Sequence, residues 1–333
     1  MSDKVAFVGA GRWALALALN LAKRDATASL WEVSEANRQR LLETRQHPDL
    51  PGQVAIPDQV RVPADLKEVL AGARFVVLAV PSEALADAAA KCAGLLPDTV
   101  EAIITVSKGI DPGSLRMLSR VVTETMPNRP VVVLAGPGIP YDFALGDPTS
   151  LVAASEHEKA ALKVRDFLTG GNLRVYSSYD VVGVELGAAM KNVVAIAAGI
   201  ADGIGLGINA KAAIVTRGLA EITRLGIALN ANPLTFAGLS GIGDLVVTAF
   251  SEHSRNYALG RLVGQGKTPE QAQAALNGVA EGVTTCRSAR SLSLRHHIEM
   301  PITEEVDRIL KGDSTPEQSL KKLLRRTPKK EAI

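Results

Sequence analysis

Residues 5–22 read VAFVGAGRWALALALNLA. Val5 to Val8 is a compact apolar run of strand composition, and Ala14 to Ala22 has helical composition. Between them lies Gly9-Ala10-Gly11-Arg12-Trp13-Ala14, a G-x-G-x-x-A. A strand that turns into a helix through such a run suits a dinucleotide. Gly9 allows the tight turn, Gly11 lets the backbone approach a pyrophosphate, and Ala14 permits close helix–strand packing. The helix N-terminus then faces the negative charge. Gly-rich turns are common, and a plain turn is the alternative. The position after the first strand of a βαβ pattern favours dinucleotide binding.

Outward from this turn, short apolar runs alternate with helical stretches. Ala28 to Trp31, Phe75 to Val80 (FVVLAV), Ala102 to Val106 and Val131 to Ala135 read as strands. Continuous apolar runs of this kind suit strands buried on both faces, hence a parallel, doubly wound α/β sheet of the Rossmann type. After a last strand candidate at Leu173 to Tyr176 the chain changes to long helical segments rich in Ala, Leu and Gly. The expected organisation is a Rossmann domain over 1–180 and an all-helical substrate domain over 181–333. A length of 333 residues suits two domains.

Composition narrows the function. Lys plus Arg is 37 and Asp plus Glu 35, so overall charge alone does not recruit nucleic acid, and 4% aromatics give little stacking surface. No nucleic-acid partner is expected. Cys92 and Cys286 lie far apart and form no disulfide framework, which suits a reducing cytoplasm. No apolar run approaches the ~18 residues of a membrane span, and Gly9, Gly11 and Arg12 interrupt any signal-peptide core.

Several side chains then stand where chemistry is expected. Glu32, eighteen residues after Ala14, ends the second strand. An acid there accepts from adenine ribose hydroxyls and repels a 2′-phosphate, which favours NAD over NADP. A solvated loop acid is the plain alternative, and Arg12, Arg38 and Arg40 are near enough to accommodate NADP. Pro81, Lys108 and Gly136 follow strand ends, where ligands bind in open α/β sheets. For Pro81 a strand-terminating turn serves equally well. Lys191 and Asn192 interrupt a helix of small and apolar residues, and a charge there needs a reason. Snorkelling to the surface competes with a lysine aimed into the interdomain cleft. Asp244 precedes the pair Arg255-Asn256 by eleven residues, and an arginine fork with an amide donor suits a phosphate.

His47, His157, His253, His296 and His297 lack metal-ligand spacing, so no metal is expected. Neither a G-x-S-x-G elbow nor a G-x-x-x-x-G-K-[ST] loop occurs. With no histidine in an active-site context, lysine becomes the leading proton donor.

GAGRWALALA, SKGI, AGPG, the segment Glu185 to Glu221, GIGDLVVT, HSRN, VAEGV and MPITEEV occur in one order along the chain. In this order the sequence resembles the NAD(P)-dependent sn-glycerol-3-phosphate dehydrogenases of the bacterial, soluble type, over roughly residues 4 to 325. The resemblance implies reduction of dihydroxyacetone phosphate to sn-glycerol 3-phosphate, a precursor of glycerophospholipids, in the cytoplasm. By resemblance Lys191 is the proton donor, with Asn192 beside it. Lys108 contacts substrate and cofactor, Asp244 is a substrate-site acid, and Gly136 offers a backbone contact. Ser254, Arg255 and Asn256 form the phosphate end. The cofactor wall comprises Gly9, Gly11, Arg12, Trp13, Glu32, Pro81, Lys108, Pro140, Arg255, Val279 and Glu281. A homodimer is implied as well.

The chain departs from the family at Arg12, Ala14, Gly138 and Ile139-Pro140, where a small polar residue, Gly, Ser or Thr, and Phe-Ala are usual. Gly138 removes a hydroxyl that would touch substrate. Two other readings compete. One is a two-domain hydroxyacid or ketopantoate-type dehydrogenase, which binds carboxylates. The other is a dinucleotide sensor without catalysis, which would keep the Gly-rich turn and lose Lys108, Lys191 and Asp244.

Overall fold

The computed structural model describes residues 3–276, 278–328 and 330. Among them eight strands form one sheet: β1 (Lys4–Val8), β2 (Thr27–Trp31), β3 (Val60–Arg61), β4 (Phe75–Leu78), β5 (Ala102–Thr105), β6 (Val131–Ala135), β7 (Thr149–Ala154) and β8 (Leu173–Ser178). Their order is β3-β2-β1-β4-β5-β6-β7-β8. The first six follow the doubly wound dinucleotide-binding order. Side chains alternate across the sheet: Phe75 and Val77 join a core with helix α1 (Arg12–Ala22), while Val76 and Leu78 join a second core on the opposite face. Helices on both faces explain why β4 is apolar at every position.

The sheet is not wholly parallel, as the alternating pattern had implied. β7 runs antiparallel to β6 and parallel to β8. Neither β7 nor the two-residue β3 stands out in the sequence. In β7 the run Leu151-Val152-Ala153-Ala154 has no turn signal behind it and acquires strand geometry from its neighbours.

Beyond β8 the described residues are helical. Asp180 caps α3 (Val181–Gly203) by accepting from Gly183 N at 2.9 Å. α3 runs through the centre of the helical half and is buried along almost its whole length. It is also long and apolar enough to cross a membrane, which corrects the expectation that no segment approaches that length. Yet 89% of its apolar window is covered within the fold. Around it pack α4 (Ile208–Ala228), α5 (Asp244–Phe250), α6 (Arg255–Gly264), α7 (Gly282–Arg295) and α8 (Pro301–Lys311). The start of α3 also touches the sheet: Val184 and Ala188 pack on Val133, Ala135, Val152 and Ala154.

The crossing of α3 and α6 depends on glycine. A Cβ on Gly199 would lie 2.1 Å from Tyr257 O, and one on Gly260 2.1 Å from Ile196 O. Gly203 and Gly264 repeat the arrangement one turn on. Two backbones this close set the N-terminus of α6 beside the middle of α3.

Candidate active site

The two halves face each other across a cleft of about 350 Å³, at the carboxyl edge of the sheet, where open α/β folds bind ligands. One wall comes from the ends of strands. Gly11, Arg12 and Trp13 follow β1, Val80 and Pro81 follow β4, Ser107 and Lys108 follow β5, and Gly138 to Pro140 follow β6. Ser107 Oγ donates to Val80 O at 2.6 Å and ties two of these loops together. The other wall is helical: Lys191 and Asn192 on α3, Thr248 on α5, Ser254 to Asn256 at the start of α6, and Val279 and Glu281 before α7.

Lys191, Asp244 and Lys108 form one bonded group. Asp244 has no solvent exposure. Its Oδ2 accepts from Lys108 Nζ at 2.9 Å, and its Oδ1 accepts from Lys191 Nζ. Asp244 opens α5 just after a kink at Gly241, whose Cβ would meet Phe236 O at 2.1 Å. Gly187 lets α3 approach that kink, since a Cβ there would lie 2.4 Å from Ser240 O. Lys191 follows one turn later and thereby reaches the carboxylate. Burial pushes Lys191 down to about 7, with the Lys108 charge acting in the same direction and Asp244 against it. Burial also opposes the Lys108 charge, but Asp244 and the hydrogen bonds outweigh it, and Lys108 is raised. Lys191 is only 4% exposed, which settles cleft against snorkelling.

The start of α6 is built for an anion. Ser254 Oγ caps the helix by accepting from Tyr257 N at 3.2 Å. Arg255 occupies the first helical position, where a cation opposes the helix dipole unless an anion joins it. Asn256 Oδ1 accepts from Gly282 N at 2.9 Å, leaving its amide N–H groups as donors toward the cleft. Glu281 accepts from Ser82 N at 3.3 Å, and burial raises its carboxyl against the pull of Arg255.

The opposite end fits a dinucleotide pyrophosphate. Gly9 has φ +106°, and a Cβ there would lie 2.5 Å from Ala79 O. At Gly11 a Cβ would meet nothing within 4 Å, and no side chain caps α1. The first-turn N–H groups are therefore open to a ligand.

Of the expected residues, Gly9 and Asp244 lie behind the cleft wall in the places described above, and two more lie elsewhere. Gly136 is buried with φ +141°, and its missing side chain makes room for Ser150 O and Leu151 of β7. It lies outside the cleft wall, two residues before Gly138, which lines it. Glu32 also lies outside this wall and accepts from Ser34 N at 2.9 Å. The side chain missing at Gly138 is matched by Trp13: a Cβ would come 2.8 Å from its ring, which packs on Phe143.

Sequence reasoning missed His47 and Asp49 and gave no role to Ser107, Thr248 and His253, although these lie in the SKGI, GIGDLVVT and HSRN runs. The statement that no histidine has an active-site context is corrected by His47 and His253. His253 stacks on Tyr141 with ring centroids 4.7 Å apart and so bridges the halves. Its place directly before Ser254-Arg255-Asn256 was a usable signal. His47 and Asp49 had none, because their loop is folded by Arg45, which donates to the carbonyls of Ile56, Pro57 and Val60. No cluster of metal-ligating side chains occurs among the described residues.

Comparison with known proteins agrees with this architecture. Residues 4–161 match the family model described as the NAD-dependent glycerol-3-phosphate dehydrogenase N-terminus, and residues 180–321 match that of its C-terminus. The chain is 45% identical over 331 residues to a glycerol-3-phosphate dehydrogenase [NAD(P)+] of Pelotomaculum thermopropionicum, covering 98% of this chain and 94% of that one. It is 42% identical to the Clostridium perfringens protein of the same name, covering 99% and 100%. The crystal structure of glycerol-3-phosphate dehydrogenase from Coxiella burnetii superposes with a TM-score of 0.93 at 35% identity, over 98% of this chain and 99% of that one. A ketopantoate reductase from Ralstonia eutropha shares the fold at 13% identity and a TM-score of 0.62. By its sequence, its fold and both of its halves, this chain belongs to the NAD-dependent glycerol-3-phosphate dehydrogenase family.

Proposed function

We propose that the chain reduces dihydroxyacetone phosphate to sn-glycerol 3-phosphate, reversibly, with Lys191 as proton donor. The observation that carries the roles is the buried Lys108–Asp244–Lys191 group beside the anion-ready start of α6. Arg255, Asn256 and the α6 N–H groups hold the phosphate dianion, which fixes the distance and face of the carbonyl. Lys191 Nζ donates to the C2 oxygen and passes its proton as negative charge develops there. Asp244 keeps Lys191 aimed, while Lys108 holds down the basicity of Lys191. The nicotinamide cofactor, when bound, supplies the hydride. Gly9, Gly11, Arg12, Trp13, Pro81, Pro140, Val279 and Glu281 would hold it, with Lys108 and Arg255 between cofactor and substrate.

NADH is the preferred cofactor in this reading. Glu32 stands at the end of β2, and Arg38, which would attract a 2′-phosphate, is paired with Glu35 at 2.6 Å. The product supplies glycerophospholipid synthesis. The buried free thiols Cys92 and Cys286 suit the cytoplasm. We place the domain boundary at 180/181, between the cap Asp180 and the first residue of α3, and the active form is a homodimer.

Absorbance at 340 nm with dihydroxyacetone phosphate, in parallel with NADH and NADPH, tests the activity and the preference. Lys191→Ala is expected to lower kcat by about 10²–10⁴-fold while cofactor binding persists. A fully active Lys191→Ala enzyme would remove Lys191 from the mechanism.

A further inference from the structure

Glu185 lies six residues before Lys191 on α3, a rise of about 9 Å along the helix. It is 1% exposed, yet its carboxylate makes no bond to its own half of the molecule among the hydrogen bonds described. It reaches instead to the start of a Rossmann-half helix, α2 (Leu118–Thr125). Oε1 accepts from Ser119 N at 2.8 Å and Oε2 from Ser119 Oγ at 2.5 Å. That helix has no cap of its own, since Met117 stands at the capping position without a side-chain bond. Glu185 therefore supplies the cap from the opposite half.

The segment that Glu185 holds is the one that carries Lys108. Between Lys108 and Ser119 the chain folds back on itself, with Ile110 bridging Met117 and Asp111 N donating to Arg116 O at 3.0 Å. Asp111 Oδ2 closes the bend by accepting from Ser114 N at 2.7 Å and Ser114 Oγ at 2.6 Å. Leu115 sits at φ +58°, a conformation that a bulky residue adopts only when its surroundings impose it. Ile110 is 1% exposed within the core of the helical half, with Leu115 and Met117 packed against the same core. Lys108 thus heads a stiff loop whose far end is fastened by Glu185. Asp244, Glu185 and Ser288, whose Oγ donates to Ile110 O at 3.4 Å, fasten the loop to the helical half, while Leu118 and Val122 root its far end in the Rossmann core.

We propose that Glu185 is a positioning residue: by clamping the start of that helix it holds the Lys108 loop in register with Lys191, across Asp244. This rests on the reading of Lys191 and Lys108 given above. A buried carboxylate is a costly link where an apolar contact would serve for packing alone. Burial raises Glu185 to about 7 against the Ser119 bonds, so the pocket accommodates a neutral acceptor as well. Glutamine at this position keeps the shape and one acceptor, while alanine removes both.

The test compares Glu185→Gln and Glu185→Ala with the parent enzyme, using two readouts. One is the pH midpoint of amine labelling at Lys191 and Lys108, followed by mass spectrometry. The other is kcat and KM. In the parent, Lys191 should label with a midpoint well below that of an ordinary lysine. In Glu185→Ala that midpoint should rise by about one pH unit, because Lys108 no longer presses on Lys191. The kcat should fall about tenfold, with KM for the cofactor unchanged within about twofold. Glu185→Gln should return both readouts to within about threefold of the parent. Ser119→Ala, which removes one of the two bonds, should move the Lys191 midpoint in the same direction by less, and it keeps the test open if Glu185→Ala does not fold. Alanine and glutamine variants equally impaired, or a Lys191 midpoint that ignores both substitutions, would overturn the proposal. An ordinary midpoint for Lys191 in the parent itself would overturn the proton-donor reading, and this proposal with it.

Discussion

Asp244 is a fully buried carboxylate shared by two ammonium groups. One anion cannot offset two cations at low dielectric, and the more deeply buried amine, Lys191, gives way to about 7. The sign of the pH dependence follows. With Lys191 as the proposed proton donor, reduction needs it protonated, so its kcat/KM should fall as pH rises through about 7. Oxidation needs the neutral amine and should gain over the same interval. Lys108→Met removes a like charge that lowers Lys191, and the limb should move to higher pH in both directions. Paired pH–rate profiles of the two enzymes check this, and an unmoved limb would show that Lys108 does not tune Lys191. Asp244→Asn leaves two amines without their carboxylate. Breaking a buried ionic group in this way costs about 3–5 kcal/mol before the amines adjust their protonation. Urea unfolding near pH 7 should show a loss of that order, together with at least about a 10²-fold loss of kcat.

The elements that deliver these side chains are held by contacts between backbones. α6 meets α3 through Gly199, Gly203, Gly260 and Gly264, and a Cβ at Gly260 would also come 2.9 Å from Ile200 N. Gly260→Ala must push the helices apart. Overpacking of this kind costs about 1–3 kcal/mol, so the melting temperature should fall by several degrees. Because α6 carries Arg255 and Asn256 while α3 carries Lys191, KM for the phosphorylated substrate should rise even where the variant stays folded. A variant that loses stability with an unchanged KM would separate the crossing from the site. The sequence displayed part of this arrangement plainly. The Gly9–Ala14 turn, the apolar run at β4 and the lone Lys191 in a small-residue helix each depend on local chemistry, and local chemistry is what a sequence displays. β7, the αL loop at Leu115, the His47–Asp49 loop and the bond from Glu185 to Ser119 depend on partners 11 to 70 residues away or more. No spacing rule announces such partners. Gly136 shows the limit from the other side: its glycine was legible, but the close approach it serves is to an unforeseen strand.

At the scale of the whole molecule the two halves share bonds as well as a cleft. Ile110 of the Rossmann half is part of the helical core, Val184 and Ala188 of the helical half pack on the sheet, and Thr284 Oγ1 donates to Glu83 Oε1 at 2.7 Å. Two core clusters thus contain residues of both halves, so heat should unfold them in one transition. The open turn at Gly11 and the wall at Val279 and Glu281 belong to different halves, and a cofactor spanning them binds only the folded whole. Ligand linkage then adds RT ln(1 + [L]/Kd), about 2.7 kcal/mol at a hundredfold excess over Kd. For a chain of 333 residues, an unfolding entropy of about 2.1 cal/mol/K per residue turns this into a rise of about 4 °C. Calorimetry with saturating NADH should therefore show one peak moved upward as a unit, and Lys191→Ala should keep most of that shift, because the lysine's proposed role is at the substrate carbonyl. Two peaks, of which NADH moves only one, would mean that the halves are joined by the cleft alone. The Lys108 loop would then be anchored within the Rossmann half, leaving Ile110 and Glu185 without a mechanical role.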